Sequence, residues 1–386
     1  MHFGRRTTSV LALAAILTAI PAVAQKPPEP ANPEFDRLAK AATGARIENR
    51  SEQAIGFYRQ ALALRATWSE GWWFLGELLY DQDKYPEALD ALRRLVSLDH
   101  KTGPGFALLG LCEYETKEYA QALDHINEAR RLGLGEDPQV RRVVRYHAVL
   151  LLTRFQQYES ALQVLEDLLR TGDDQGKMYT LVPGPAIFEA AGLAGLRRPI
   201  LPADLPPGDK DLIDRAGRAV CATVGRRPVE AQKYFAELLA SYPKVPNVHY
   251  LYGSFLLASD SDGGLRELQK ELELNPKHAE ALVTIALEYE KRGEPEKAIP
   301  YAQLAVEAAP QFFAAHGVFG RVLTKVGEVE KGIEELETAR QQAPDSPQVH
   351  FSLAAAYAIA GRKDDAARER AEFLRLKQLA DETMGK

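Results

Sequence analysis

The chain of 386 residues carries 48 Lys and Arg against 54 Asp and Glu, a formal charge of −6, and only two cysteines. That acidic balance argues against recruitment by nucleic acid or an anionic lipid surface. Two cysteines exclude the disulfide framework that small secreted domains use.

The first 24 residues have the anatomy of a secretory signal peptide. Arg5 and Arg6 form a positive start, Ser9 to Ile20 an apolar stretch, and Ala22-Val23-Ala24 a small-residue cleavage site. The apolar stretch is shorter than the roughly 20 residues a spanning helix needs. Arg5-Arg6 resembles a twin-arginine signal, but the residues after it fit poorly, so the general export route is expected. Cleavage after Ala24 leaves Gln25 first, where a lipid-anchored protein would have Cys, and 46 basic residues against 54 acidic, a formal charge of −8. These features predict an exported product, periplasmic or extracellular, with no stable membrane insertion after signal cleavage. Residues 25–34 read as a proline-rich spacer.

From residue 35 onward the chain keeps a period of 34. Ala54, Ala88 and Ala122 stand in phase, as do Ala42, Gly76 and Gly110; downstream, Pro276, Pro310 and Pro344 follow the same step, as do Gly293, Gly327 and Gly361, and Ala286, Gly320 and Ala354. A repeat of this length indicates stacked helix pairs. Within Ser69 to Lys101, Trp72, Leu75, Gly76 and Leu79 share one helical face, and Ala88, Leu92 and Leu95 share another. Neither helix can bury its stripe alone, so each pair needs neighbouring pairs. Gly293, Gly327 and Gly361, with Asn49 in the equivalent place, fall where a first helix should end in a left-handed residue. The closing prolines cannot continue a helix. The register is 35–68, 69–102, 103–136, 142–175, 212–245, 246–278, 279–312, 313–346 and 347–380. The third unit lacks its closing proline and is followed by five extra residues. The unit 246–278 is one residue short, and Gly332 stands where Ala is usual.

The organisation is thus a signal at 1–24, a spacer at 25–34, an N-terminal array at 35–175, an irregular connection at 176–211 and a C-terminal array at 212–386. The period breaks over Gly172 to Gly208, which holds Pro183, Pro185, Pro199, Pro202, Pro206 and Pro207. Ala186 to Leu196 is apolar enough for one short helix. The segment is either a degenerate repeat or a hinge or partner-specific insertion. From Lys363 the density of charge predicts a capping helix.

The series Trp72, Leu75, Gly76, Ala88 resembles the tetratricopeptide repeat, as does Leu282, Ala286, Tyr289, Ala298, Ala305, Pro310 and the closing Asn275-Pro276. The resemblance implies an all-α, right-handed superhelical solenoid of paired antiparallel helices that binds an unidentified protein or peptide partner in its concave groove. It places Trp73, Glu77 and Tyr80, with Tyr114 from the next unit, as candidate groove residues, and Trp72 in the core. The Lys, Arg and Asn clamp by which some relatives hold peptide C-termini is missing, since Ala39, Thr43, Trp73 and Glu77 occupy the corresponding positions.

Other constellations are incomplete. Gly172 to Lys177 lacks the spacing and the Ser or Thr of a phosphate loop. Asp260, Asp262 and Glu271 mimic a calcium loop, but Leu265 stands where its glycine belongs. His249, His316 and His350 recur at one position of three units, too far apart to share an ion, and are expected as core histidines with one satisfied nitrogen. Cys112 and Cys221 are expected as small buried hydrophobes, and Arg141, Arg142 and Arg145 as a solvated helix face. No cofactor, metal or catalytic site is expected. The expected role is a binding scaffold. One alternative is an accessory factor of an envelope assembly or secretion complex; the remote alternative is an enzyme.

Overall fold

The computed structural model describes residues 32–170 and 184–384. The expectations for the signal peptide, most of the spacer and Gly172 to Lys177 lie outside these residues. The described residues are helical, with no strand among them, and fall into two compact units divided between Pro228 and Val229.

The first unit holds α1 (Pro33–Ile47), α2 (Ser51–Leu64), α3 (Ser69–Asp81), α4 (Tyr85–Leu98), α5 (Gly103–Glu115), α6 (Tyr119–Leu132), α7 (Pro138–Arg154), α8 (Tyr158–Arg170), α9 (Gly184–Gly195) and α10 (Lys210–Val224). The second holds α11 (Pro228–Ser241), α12 (Val248–Leu256), α13 (Ser261–Leu274), α14 (Ala279–Lys291), α15 (Pro295–Ala308), α16 (Phe313–Lys325), α17 (Val329–Gln342), α18 (Pro347–Ile359) and the long terminal α19 (Lys363–Met384). Local chemistry starts these helices. Asn32, Thr102, Asp137 and Asp260 accept backbone N–H bonds from the first turns of α1, α5, α7 and α13.

One turn recurs after the first helix of every pair but the one at 246–278. Asn49 adopts φ 55°; its N–H bonds Arg46 O at 3.0 Å and the N–H of Arg50 bonds Ala45 O at 2.8 Å. Gly293 adopts φ 75° and repeats both bonds, to Glu290 O at 3.1 Å and, through Glu294, to Tyr289 O at 3.0 Å. This is the paired closure that satisfies a helix's last carbonyls. Asn49, Gly293, Gly327 and Gly361 therefore do what their spacing predicts. Asp83, a type that tolerates it, adopts the same left-handed conformation, and so do Lys117, Gln156, Arg197 and Arg226, whose types do not announce it. The 246–278 unit turns differently. Its missing residue removes the left-handed position, and Asp260 N–H bonds Leu256 O directly.

Close approach explains the small residues. A Cβ on Gly332 would lie 2.3 Å from Thr324 Oγ1 and 2.7 Å from Gly320 O. The α16 and α17 backbones nearly touch there, so the alanine of other units does not fit. α9 and α10 meet still more tightly, since a Cβ on Gly217 would stand 1.7 Å from Phe188 O. The short helix expected over 186–196 is α9. It ends in the common turn, with Arg197 at φ 54° and Arg198 N–H on Leu193 O at 2.9 Å. Its packing partner α10 does not follow at once. Two single 3₁₀ turns at Pro202–Asp204 and Pro207–Asp209 lead straight to α10, because prolines at this density remove the donors a helix needs.

The tryptophan cluster departs from expectation. Trp72 is half-buried, its indole N–H donating to Ala66 O at 2.8 Å. The core position belongs to Phe74, which is buried and packs on the fully buried Tyr58 at 5.9 Å. Trp68 closes this aromatic group, 5.7 Å from Tyr58 and edge-on to Phe35 at 5.2 Å.

Candidate binding surface

In the first unit the sequence-predicted residues lie on the adjacent first helices α3 and α5. Trp73 and Tyr114 are half-buried. Glu77 and Tyr80 are only 6% and 9% exposed, which corrects their placement on an open groove. Flanking helices wall them in. Tyr80 packs edge-on against Tyr85 at 5.4 Å. Tyr114 packs edge-on against His147 at 4.7 Å. The Glu77 carboxyl makes no hydrogen bond to a described residue. Burial, with the charge of Asp81, pushes its pKa up to about 7 against the opposing pull of Arg46. His147 is likewise held neutral, burial lowering it to about 4.

The second unit carries an open feature that the sequence did not announce. A cavity of about 280 Å³ lies across α14, α16 and α18, the first helices of three successive pairs, with Val283, Leu287, Phe313 and Val349 as apolar walls and Arg321 and Gln348 at its polar edge. Val283, Gly317 and Phe351 are equivalent positions 34 apart. Two carry large side chains and the middle one carries none, so a gap is left over Gly317. A Cβ built there meets nothing within 4 Å.

The three phased histidines form one repeated clasp. His249, His316 and His350 place Nδ1 at 2.6, 2.6 and 2.5 Å from Glu267, Glu335 and Glu369. Their Nε2 atoms lie 2.8, 2.9 and 2.7 Å from the carbonyls of Pro243, Pro310 and Pro344. Both nitrogens are engaged, not one. A carbonyl only accepts, so Nε2 donates, and a proton lies between Nδ1 and the carboxylate. Each clasp ties a first helix to the second helix of its own pair and to the proline that closes the preceding one.

The remaining candidates have structural roles. Asp260 caps α13, Asp262 pairs with Arg292 at 2.7 Å, and the fully buried Glu271 accepts from the N–H groups of Asn247 and Tyr250. Cys112 and Cys221 are buried free thiols, each pushed up to about 12 by burial. Arg141, Arg142 and Arg145 are half-buried, which corrects the solvated face. Burial lowers the pKa of Arg145 while Asp167 opposes that shift. Among the described residues no helix is long and apolar enough to cross a membrane.

Models of the tetratricopeptide repeat match residues 39–105, 258–311 and 289–357. These segments are tetratricopeptide repeats. Among the described residues both units consist of paired α-helices stacked in sequence, the build of an α-α solenoid. Among solved structures it is similar to MamA 41-end from Desulfovibrio magneticus RS-1, at 23% identity and a TM-score of 0.39 over 43% of this chain and 95% of that one. It is also similar to YrrB, a TPR protein with an unusual peptide-binding site, at 16% identity and a TM-score of 0.37 over 44% and 87% of the two chains. No curated sequence is significantly similar to the chain.

Proposed function

We propose that the protein is an exported scaffold that binds a protein or peptide segment along the concave face formed by its first helices, with no turnover of substrate. The cavity over Gly317 carries this reading. It opens between three successive first helices, it is lined mainly by apolar side chains, and none of its own side chains fills it. An apolar side chain that covered it would gain by leaving water.

Gly317→Leu tests the reading, because the new side chain enters open space and replaces a helix-weakening glycine. Partners captured by the wild-type chain from the cell envelope should be lost with Gly317→Leu, while circular dichroism and melting temperature hold or rise. Equal capture by both chains overturns groove binding at this place. The export half is checked separately by intact mass. A chain beginning at Gln25 is expected, and a mass retaining Met1 to Ala24 overturns it.

A further inference from the structure

The cavity has a charged rim with a defined sign. Arg321 donates from Nε and Nη2 to Glu290 at 2.9 to 3.2 Å, and Lys325 reaches the same carboxylate at 3.0 Å. Two cations thus share one largely buried anion, whose pKa their hydrogen bonds and charges lower against the effect of burial. One positive charge is left over at this triad, with half of the Lys325 side chain open to solvent. Across the cavity, the exposed Gln348 amide has no hydrogen-bond partner among the described residues. Cavities that enclose whole small molecules run to roughly 300–1,000 Å³. At about 280 Å³ this open cavity stands at the small end of that range and has room for one large side chain. The Leu287 wall on α14 is itself exposed, and exposed Phe351 on α18 continues the apolar surface beyond the cavity, which leaves room for an occupying chain to run past its anchor.

We infer that the cavity over Gly317 takes a Leu, Met or Phe side chain from within a partner polypeptide, and that an Asp or Glu side chain within about one helical turn of that anchor adds to the Arg321–Lys325 pair. This rests on the groove reading above and deepens it. The apolar walls supply burial. The cation pair supplies sign and register, as charged groups beside an apolar anchor do. Gln348 can bond the partner's backbone.

The test is selection of a phage-displayed random dodecapeptide library on the full-length mature chain, with Gly317→Leu, Gly317→Ala and Lys325→Gln chains as comparisons. The expected peptides join Leu, Met or Phe to Asp or Glu within four residues. Gly317→Leu should weaken them by about 30-fold, the scale of an interface hot spot. Lys325→Gln should weaken them by about 5-fold, with binding that falls as salt rises. Replacing the peptide's acid by its amide should abolish the Lys325 effect. Gly317→Ala, which only partly fills the cavity, gives an intermediate loss and serves if the leucine variant melts early. Peptides that need Gly317 open but carry basic or no charged residues overturn the acidic partner and leave the groove reading standing. Peptides indifferent to both Gly317 variants, or no enrichment over the leucine chain, overturn both.

Discussion

The first unit closes its left-handed turns with Asn49, Asp83, Lys117, Gln156, Arg197 and Arg226, whereas the second uses Gly293, Gly327 and Gly361. The hydrogen bonds are the same in both. Stacked helix pairs dictate the turn, and the residue only sets how much strain it carries. An L-residue in this region costs roughly 1–2 kcal/mol that glycine avoids. The carboxyls differ from pair to pair. Glu267, Glu335 and Glu369 in the second unit and Glu113 in the first each face a histidine, while Glu77 is buried with no hydrogen bond to a described residue. Repeats that share a backbone can therefore give a carboxyl a partner at one pair and leave it without one at another.

The largest expected effect concerns Glu77. Its folded pKa of about 7 lies above the ordinary 4.5, so the folded state favours the protonated form. The stability tied to it is fully present below about pH 4.5 and is lost as pH rises to about 7. Glu77→Gln should match wild type near pH 4 and exceed it at pH 8 by as much as roughly 3 kcal/mol. Urea melts at both values, read by hydrogen exchange in α3, check this. His147 acts with the opposite sign. Lowered to about 4 from 6.5, it contributes stability above about pH 6.5 that is lost as pH falls towards 4.

Next is Gly332→Ala, which gives α17 the alanine that Ala298 and Ala366 supply in the neighbouring pairs and Ala88 and Ala122 in the first unit. The new Cβ meets the Gly320 carbonyl and Thr324. Overpacking of this kind costs about 1–3 kcal/mol, and loss of exchange protection in α16 and α17 would report it. No loss would mean that the two helices separate without penalty.

Exchanging the turn residues gives the smallest effects. Gly327→Ala should destabilise by about 1 kcal/mol, because φ 91° is unfavourable for a side chain. Lys117→Gly should stabilise by about 0.5 kcal/mol, the relief of strain exceeding the extra freedom glycine has when unfolded. Thermal melts of the two variants should move in opposite directions. A shift of the same sign in both would break the comparison.

The period, the paired helices and the glycine turns are legible in the amino-acid sequence, because each depends on residues a few positions apart. So is the short helix within 186–196, since apolar residues bounded by prolines announce it. The turns at Lys117 and Arg226 are not, as neither residue favours left-handed φ and only the flanking helices impose it. The candidate surface is legible in part. The spacing puts Trp73, Glu77, Tyr80 and Tyr114 on the first helices, yet which of them a partner can reach depends on α4, α7 and the chain around them. The cavity does leave a signal in the phased set Val283, Gly317 and Phe351, where a side chain is missing between two large ones.

By itself, the sequence determined a solenoid of helix pairs, the places where those helices stop, and the positions where only a small residue can stand. These follow from helical periodicity, from proline's missing donor and from glycine's missing Cβ, all local properties of the chain. Tertiary structure alone decided that Phe74 and not Trp72 fills the core, that Glu77 is buried, that three histidines clasp a glutamate and a proline carbonyl, and that the space above Gly317 stays open. Each of those outcomes depends on atoms brought together from different helices, and burial and hydrogen bonding act through that proximity.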